Sequence, residues 1–451
     1  MSSVPLAVPP SPSSSKRSRS KDSSHSAAPS SANTPAANTS FLTPFASAPS
    51  LVIPPRSQTP SIVEPSPQDL TPYPAFLRLN KPGSRFIDLE WEQRKRLVQT
   101  AQTSDSDPPS QWARCSGEAV AVRNRYANVD PYQSNRVKLS VPEGQSDYIN
   151  ASPIVLESTK SKTILKYIAT QGPKSDSFSH VWRMIWSETT SPAVIVMLTQ
   201  THESGREKCF QYYPQSPSAP DLKINAQDEF EDGLMHNLSL TSLTDSDETR
   251  AQIRELDMTS DDGTQTKKIW HLLFGGWPDF LVPEGADREA LLKLVQMSRD
   301  KNADNSTNPR IVHCSAGVGR SGTFIALDWL LQELEEGSLD DISDDQDPVF
   351  DVVGKLRYQR MMMVQGEAQY SFIYDVVREQ WRERWVSHHA EEAERLGVHT
   401  SNVQTGTGEP KHKKQKPSDV SAQNVEEDED ERAQLQAVLM DSEVEFDKGK
   451  V

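Results

Sequence analysis

The sequence predicts a mixed α/β domain over residues 76–390, set between two disordered tails at 1–75 and 391–451. Three observations carry that expectation. All nine tryptophans fall between Trp91 and Trp385. Inside that stretch, short β-branched runs alternate with apolar residues at three- and four-residue spacing. On either side the composition turns to Ser, Pro, Thr and charge, which cannot bury enough apolar surface to offset the entropy of ordering.

Strand-like runs cover 163–169, 193–198 and 269–274, each short, β-branched and bounded by turn residues. Helical spacing marks 179–187, 287–297, 321–336, 349–358 and 367–386. Alternation of the two periods in one segment is what a mixed α/β architecture requires. Two acidic, polar stretches, 241–262 and 337–347, read as surface insertions rather than core.

The chain has 451 residues, 35% of them hydrophobic, and 32 prolines, a poor composition for folding from end to end. Lys and Arg number 48 against 64 Asp and Glu, a formal charge of −16. That balance argues against nucleic acid as a partner, since phosphate contacts need a clustered basic excess. Three cysteines, Cys115, Cys209 and Cys314, form no CxxC pair, so neither a disulfide framework nor a zinc knuckle is expected. Reduced thiols in an intracellular compartment are expected instead. No run approaches the roughly 18 to 20 apolar residues of a membrane span, and the first residues lack the apolar region of a secretory signal. The basic clump near the N-terminus has no amphipathic apolar face of the kind a transit peptide would add.

In the N-terminal tail Ser11, Thr34, Thr43, Thr59, Ser66 and Thr71 each precede a proline. Proline-directed kinases read that pattern in extended chain and are the expected partners of this tail, although a Ser/Thr/Pro-rich composition also produces such pairs by chance. Beyond residue 396 the chain becomes polar, with Lys411, Lys413, Lys414 and Lys416 followed by an acidic run at 426–431. This cluster and Lys16, Arg17 and Arg19 have the composition of nuclear-import signals. The expected location is the cytoplasm, with nuclear entry open. Residues 432–446 have the apolar spacing of a short helix suited to docking a partner.

The segment that carries chemistry is 311–324, Ile-Val-His-Cys-Ser-Ala-Gly-Val-Gly-Arg-Ser-Gly-Thr-Phe: a strand end, a small-residue loop, then a helix. Gly317, Gly319 and Gly322 let backbone N–H groups converge on one point, and the following helix adds its unsatisfied donors and positive dipole end. A dianion is expected there, cradled by 315–319, that is by Ser315, Ala316, Gly317, Val318 and Gly319. Cys314 at the mouth of the cradle feels the same donors, which favour thiolate over thiol and make it nucleophilic at neutral pH. Arg320 can take two phosphoryl oxygens at once with its planar fork, which lysine could not do. His313 is expected to donate within the loop and orient Cys314, and the Ser321 hydroxyl to hydrogen-bond the thiolate as it leaves.

His313-Cys314 followed by five residues and Arg320-Ser321 resembles the active-site loop of the non-receptor, tyrosine-specific, cysteine-based protein tyrosine phosphatases. The resemblance runs over roughly residues 77 to 390 through further motifs in that family's order, and covers neither tail. It implies a twisted, mostly mixed sheet flanked by helices. It also implies that Gly276-Trp277-Pro278-Asp279-Phe280 is a mobile acid loop, with Trp277 as support and Asp279 as the general acid. Tyrosine, with a pKa of about 10, leaves poorly as its anion, so protonating it is worth on the order of 10²- to 10⁴-fold.

The same resemblance makes 123–129 the loop that walls the pocket. Tyr126 stacks on the substrate ring, Val129 closes the motif, and Asn128 stands where the family usually has an aspartate that holds the peptide backbone. Asn keeps an acceptor oxygen but loses charge assistance, roughly half the strength of such a contact. Gln365 is implied to place the hydrolytic water, with Gln369 secondary. Glu203 and Lys208 lie on the loop implied to touch the acid loop, with Lys208 near Asp279. Arg357, Arg360, 147–151 and 170–173 form a supporting shell.

These residues predict protein-tyrosine phosphatase activity in two in-line displacements through a phosphocysteine, with no metal or other cofactor, acting on phosphotyrosine-containing proteins in intracellular signalling. A tail read by proline-directed kinases puts MAP kinases, themselves tyrosine-phosphorylated, among the candidate substrates. Two rivals are a phosphotyrosine-binding module without turnover, which the presence of nucleophile, acid and clamp disfavours, and a dual-specificity phosphatase, which Tyr126 disfavours and Asn128 keeps open.

Overall fold

The computed structural model describes residues 71–78, 82–102, 109–278 and 281–399. The expectations for 1–70 and 400–451, including five of the six Ser/Thr-Pro pairs, both basic clusters and the helix at 432–446, lie outside the described residues. The sixth, Thr71, is buried, and its carbonyl accepts from the Tyr73 N–H at 2.8 Å. Ordered contacts among the described residues therefore include positions before the expected boundary at 76.

The strands are β1 (Ala151–Glu157), β2 (Ile164–Thr170), β3 (Ala193–Met197), β4 (His202–Glu203), β5 (Arg206–Glu207), β6 (Asp221–Ile224), β7 (His236–Ser246), β8 (Ala251–Ser260), β9 (Thr266–Phe274) and β10 (Arg310–His313). The helices are α1 (Gly83–Gln102), α2 (Glu118–Arg123), α3 (Phe178–Glu188), α4 (Ala286–Asp300), α5 (Gly319–Glu335), α6 (Pro348–Gln359), α7 (Glu367–His388) and α8 (Ala390–Leu396). Eight strands form one mixed sheet in the order β1-β2-β10-β3-β9-β8-β7-β6, and β4 pairs with β5 in a small separate hairpin.

The central strands β2, β10, β3 and β9 run parallel, while β1 and the β8-β7-β6 edge are antiparallel. Every residue of β3 is buried, as expected of a parallel strand covered on both faces. Period-two alternation divides the core. Val194, Val196 and Val312 face a cluster with Phe324, Ile325 and Tyr370 of α5 and α7. Ile195, Met197 and Ile311 face Trp182 and Ile185 of α3. Loops at the C-terminal ends of the parallel strands then converge on one edge, where open α/β sheets place their sites.

Residues 241–262 are not an insertion. Most of that stretch lies in β7 and β8, where Leu256 and Met258 are buried while the intervening residues stay partly exposed. An antiparallel edge with one wet face carries polar residues at alternate positions, and their acidity imitated a loop. The other acidic stretch is irregular, but its end is structural: buried Asp347 caps α6 by accepting from the N–H groups of Val349 and Phe350, both at 3.2 Å. At the C-terminal boundary, α8 extends the fold past residue 390, with Ala393 and Val398 buried.

Candidate active site

The loop from Cys314 to Val318 leaves β10 and enters α5, whose first residue is Gly319, two positions earlier than the periodicity indicates. Arg320 and Ser321 thus sit in the first helical turn, where backbone N–H groups are unsatisfied by the helix itself. The Gly317 N–H points at Cys314 Sγ from 3.3 Å. Gly317 has φ of 73°, and a Cβ there would lie 2.1 Å from the Thr170 carbonyl oxygen, so only glycine fits.

The carbonyls of the loop are drawn outward by a buried arginine. Arg360 donates to the Gly317 carbonyl at 2.9 Å and the Ala316 carbonyl at 3.2 Å, and anchors to Asn150 Oδ1 at 2.7 Å and Ser152 Oγ at 3.2 Å. With its carbonyls held on the outside, the loop is free to turn N–H groups inward. Burial lowers the Arg360 pKa to about 10, which leaves it charged at neutral pH. Arg357 does similar work one turn back, donating to the Met363 and Val364 carbonyls at 3.0 and 2.9 Å and pairing with Glu90 at 2.7 Å.

Arg320 is held by Glu203, with Nη1 at 2.7 Å from Oε1 and Nη2 at 2.9 Å from Oε2, and it also donates to the Leu198 carbonyl at 3.0 Å. Glu203 accepts in addition from Thr199 Oγ1 at 2.9 Å and the Gln200 N–H at 3.1 Å. Burial pushes its carboxyl up, but these donors, chiefly Arg320, hold it below its ordinary value. The expectation placed Glu203 on the loop that touches the acid loop; in the structure its carboxylate fixes the Arg320 guanidinium.

Tyr126 Oη and Ser315 Oγ are 2.8 Å apart, and Ser315 Oγ is 2.9 Å from the Lys208 carbonyl, to which it donates. Tyr126 therefore stands over the loop. Asn128 is exposed beside it, and Val129 is buried, its carbonyl accepting from Asn150 at 2.7 Å. Gln369 Oε1 accepts from the N–H groups of Gln365 and Gly366 at 3.1 and 3.4 Å, leaving the Gln365 side chain exposed. A Cβ on Gly319 would meet Gln369 at 2.9 Å and Gln365 Cβ at 3.3 Å, which puts both glutamines against the loop. Val364, a β-branched residue at φ of 58°, presents Gln365 there, tied down by its N–H to the Val318 carbonyl at 3.1 Å.

Asp279 and Phe280 lie outside the described residues. Their flanks are fixed: Trp277 is buried and donates through Nε1 to the Leu281 carbonyl at 3.0 Å, and Arg320 reaches the Pro278 carbonyl at 3.5 Å. Ser321 Oγ is fully buried and finds no hydrogen-bond partner among the described residues. His313 Nδ1 is 3.2 Å from the Cys314 carbonyl, in keeping with donation within the loop. Sequence reasoning missed Tyr212, 2.6 Å from His313 Nε2, because nothing in its local sequence marks it.

Residues 121–379 match the family model described as protein-tyrosine phosphatase, more than half of the chain. The chain belongs to the protein-tyrosine phosphatase family. It is 34% identical over 296 residues to Tyrosine-protein phosphatase 2 of Schizosaccharomyces pombe, and 33% identical over 299 residues to Tyrosine-protein phosphatase 1 of that yeast. Those alignments cover 64% and 65% of this chain but 38% and 50% of the relatives, so the chain spans half of their length or less. A solved structure of PTPN18 in complex with HER2-pY1196 phospho-peptides superimposes with a TM-score of 0.53 at 28% identity, covering 68% of this chain and 94% of that one. The mixed sheet and its flanking helices are thus the phosphatase fold. No helix among the described residues is long and apolar enough to cross a membrane.

Proposed function

We propose that this chain hydrolyses phosphotyrosine in proteins, with Cys314 as nucleophile, Arg320 as phosphate clamp and Asp279 as general acid. The observation that carries the reading is the cradle in which the Gly317 N–H meets Cys314 Sγ, the Glu203-held Arg320 sits in the first turn of α5, and Tyr126 stands over Ser315. The thiolate attacks phosphorus, the P–O bond to tyrosine breaks, and Asp279 gives its proton to the departing phenolate oxygen. Water then attacks the phosphocysteine, losing its proton to the aspartate while sulfur leaves as thiolate, and inorganic phosphate is released. Charge building on the equatorial oxygens is met by Arg320 and the amides of 315–319, in the manner of phosphoryl transfer through positioning and electrostatics. Ser321, whose buried hydroxyl has no hydrogen-bond partner among the described residues, is suited to stabilise the sulfur as it leaves. Gln365, against Gly319, is suited to orient the water.

Acid quench of a reaction with phosphorus-labelled phosphotyrosyl peptide tests the chemistry: label should appear on Cys314 and vanish in Cys314→Ser. Label on another residue, or none during active turnover, would sink the phosphocysteine route.

The finer reading is a role in intracellular signalling, in the cytoplasm with access to the nucleus, with MAP kinases among the substrates and proline-directed kinases acting on the N-terminal tail. Its support is the run of Ser/Thr-Pro pairs, of which Thr71 drops out because it is buried. Replacing Ser11, Thr34, Thr43, Thr59 and Ser66 by alanine should abolish tail phosphorylation in cells and change the phosphotyrosine proteins recovered with Cys314→Ser. Unchanged phosphorylation and recovery would remove this reading while leaving the catalytic one intact.

A further inference from the structure

Helix α1 precedes the residues that match the family model, 121–379, yet it grips the segment from which Gln365 projects. Gln93, 6% exposed, accepts the Met362 N–H through Oε1 at 2.7 Å. Three residues earlier, Glu90 pairs with Arg357 at 2.7 Å. Arg357 is itself fully buried and donates to the Met363 and Val364 carbonyls at 3.0 and 2.9 Å. Four residues before Glu90, the Phe86 ring lies against the Arg357 guanidinium, 5.2 Å from centroid to carbon, and meets Tyr370 at 5.7 Å. Spacings of four and three put Phe86, Glu90 and Gln93 on one face of α1.

The gripped segment is one that needs holding. Met362 and Val364 have φ of 59° and 58°, left-handed conformations that residues with a Cβ rarely take, and Val364 is β-branched. Such a backbone persists only where its surroundings fix it. The Val364 N–H is bonded to the Val318 carbonyl at 3.1 Å, at the entry to α5. To this α1 adds a hold on the Met362 N–H and, by way of Arg357, on the carbonyls of Met363 and Val364.

We propose that Gln93 and Glu90 are positioning residues for the second displacement: α1 fixes the backbone of 362–364 and so sets where the Gln365 amide meets the attacking water. The inference rests on the reading of Gln365 as the residue that orients that water. The first displacement draws on Cys314, Arg320 and Asp279 instead, so the brace acts on one step and not on both.

A product ratio isolates that step. Ethylene glycol competes with water for the phosphocysteine: the oxygen of either attacks phosphorus and loses its proton, the P–S bond breaks with sulfur leaving as thiolate, and the product is an alkyl phosphate or inorganic phosphate. The ratio of the two does not depend on which step limits turnover. With a phosphotyrosyl peptide at fixed glycol concentration, Gln365→Ala should raise the ratio of alkyl to inorganic phosphate, because water loses the group that places it. Gln93→Leu strips the Met362 N–H of its acceptor and should raise the ratio at least about threefold, whereas Gln93→Glu keeps an acceptor oxygen and should stay near wild type. A shift in Gln365→Ala without one in Gln93→Leu would overturn the brace, as would equal shifts in Gln93→Leu and Gln93→Glu. No shift in Gln365→Ala would instead remove the Gln365 reading, and the brace with it. Loosened packing alone would lower turnover without moving the ratio, which also overturns the proposal. Should Gln93→Leu fail to fold, Glu90→Gln, on a partly exposed side chain, takes its place and should raise the ratio at least about twofold; an unchanged ratio there would be contradictory.

Discussion

The guanidinium of Arg320 and the carboxylate of Glu203, 117 residues apart in sequence, meet along two parallel contacts of 2.7 and 2.9 Å. On the proposed reading of Arg320 as phosphate clamp, its long side chain is thereby fixed before substrate arrives, so less rotamer entropy is lost on binding. Glu203→Gln keeps the shape and removes the charge. We expect kcat/KM for a phosphotyrosyl peptide to fall about tenfold, ~1.4 kcal/mol, with an unchanged fold. Steady-state kinetics and circular dichroism check this; unaltered kcat/KM would mean the clamp orients itself.

Arg360 supports the loop from below through the Gly317 and Ala316 carbonyls. Arg360→Met would strand those acceptors together with Asn150 Oδ1 and Ser152 Oγ in the interior. Urea titration should show a loss of about 3 kcal/mol, and inorganic phosphate should inhibit more weakly. A loss below about 1 kcal/mol would show that the loop keeps its shape unaided.

Gly317→Ala places a methyl carbon 2.1 Å from the Thr170 carbonyl oxygen, at a φ that L residues rarely adopt. Activity should drop at least about 100-fold, since a misplacement near 1 Å already costs that much. Near-normal turnover would contradict the described turn.

Buried histidines, His313, His236 and His271 among them, set a pH dependence of stability. Burial lowers both His313 and His236 to about 4. Between the unfolded value near 6.5 and that folded value, the unfolded chain binds protons that the native one does not. Stability therefore falls as pH drops from about 6.5 toward 4, by at most about 1.4 kcal/mol per pH unit for each group. Urea midpoints at about pH 6.5 and 4.5 should differ in that sense, and His236→Asn should reduce the difference. A flat profile would mean that these rings titrate normally.

What could be read from the sequence was local. The 313–322 loop is legible because cysteine, glycines, arginine and helix start are contiguous, and β3 is legible because burial on both faces makes it uniformly apolar. The β7–β8 edge misled because its wet face carries Glu255 and Asp257, which alternate with buried Leu256 and Met258. Arg360 could be placed near the site, but not its grip on two loop carbonyls. The contacts of Glu203 and Tyr212 were harder, since the partner of each lies more than 100 residues away, Arg320 and His313 respectively. Such pairings arise from the strand order, in which β10 inserts between β2 and β3.

The central claim is most directly tested by phosphate release from matched phosphotyrosine and phosphothreonine peptides, with wild type beside Cys314→Ser and Asp279→Ala. The account predicts turnover of phosphotyrosine only, abolished by the first change and reduced about 10²-fold or more by the second. Comparable phosphothreonine turnover would contradict the Tyr126 wall, and turnover surviving in Cys314→Ser would contradict the nucleophile itself.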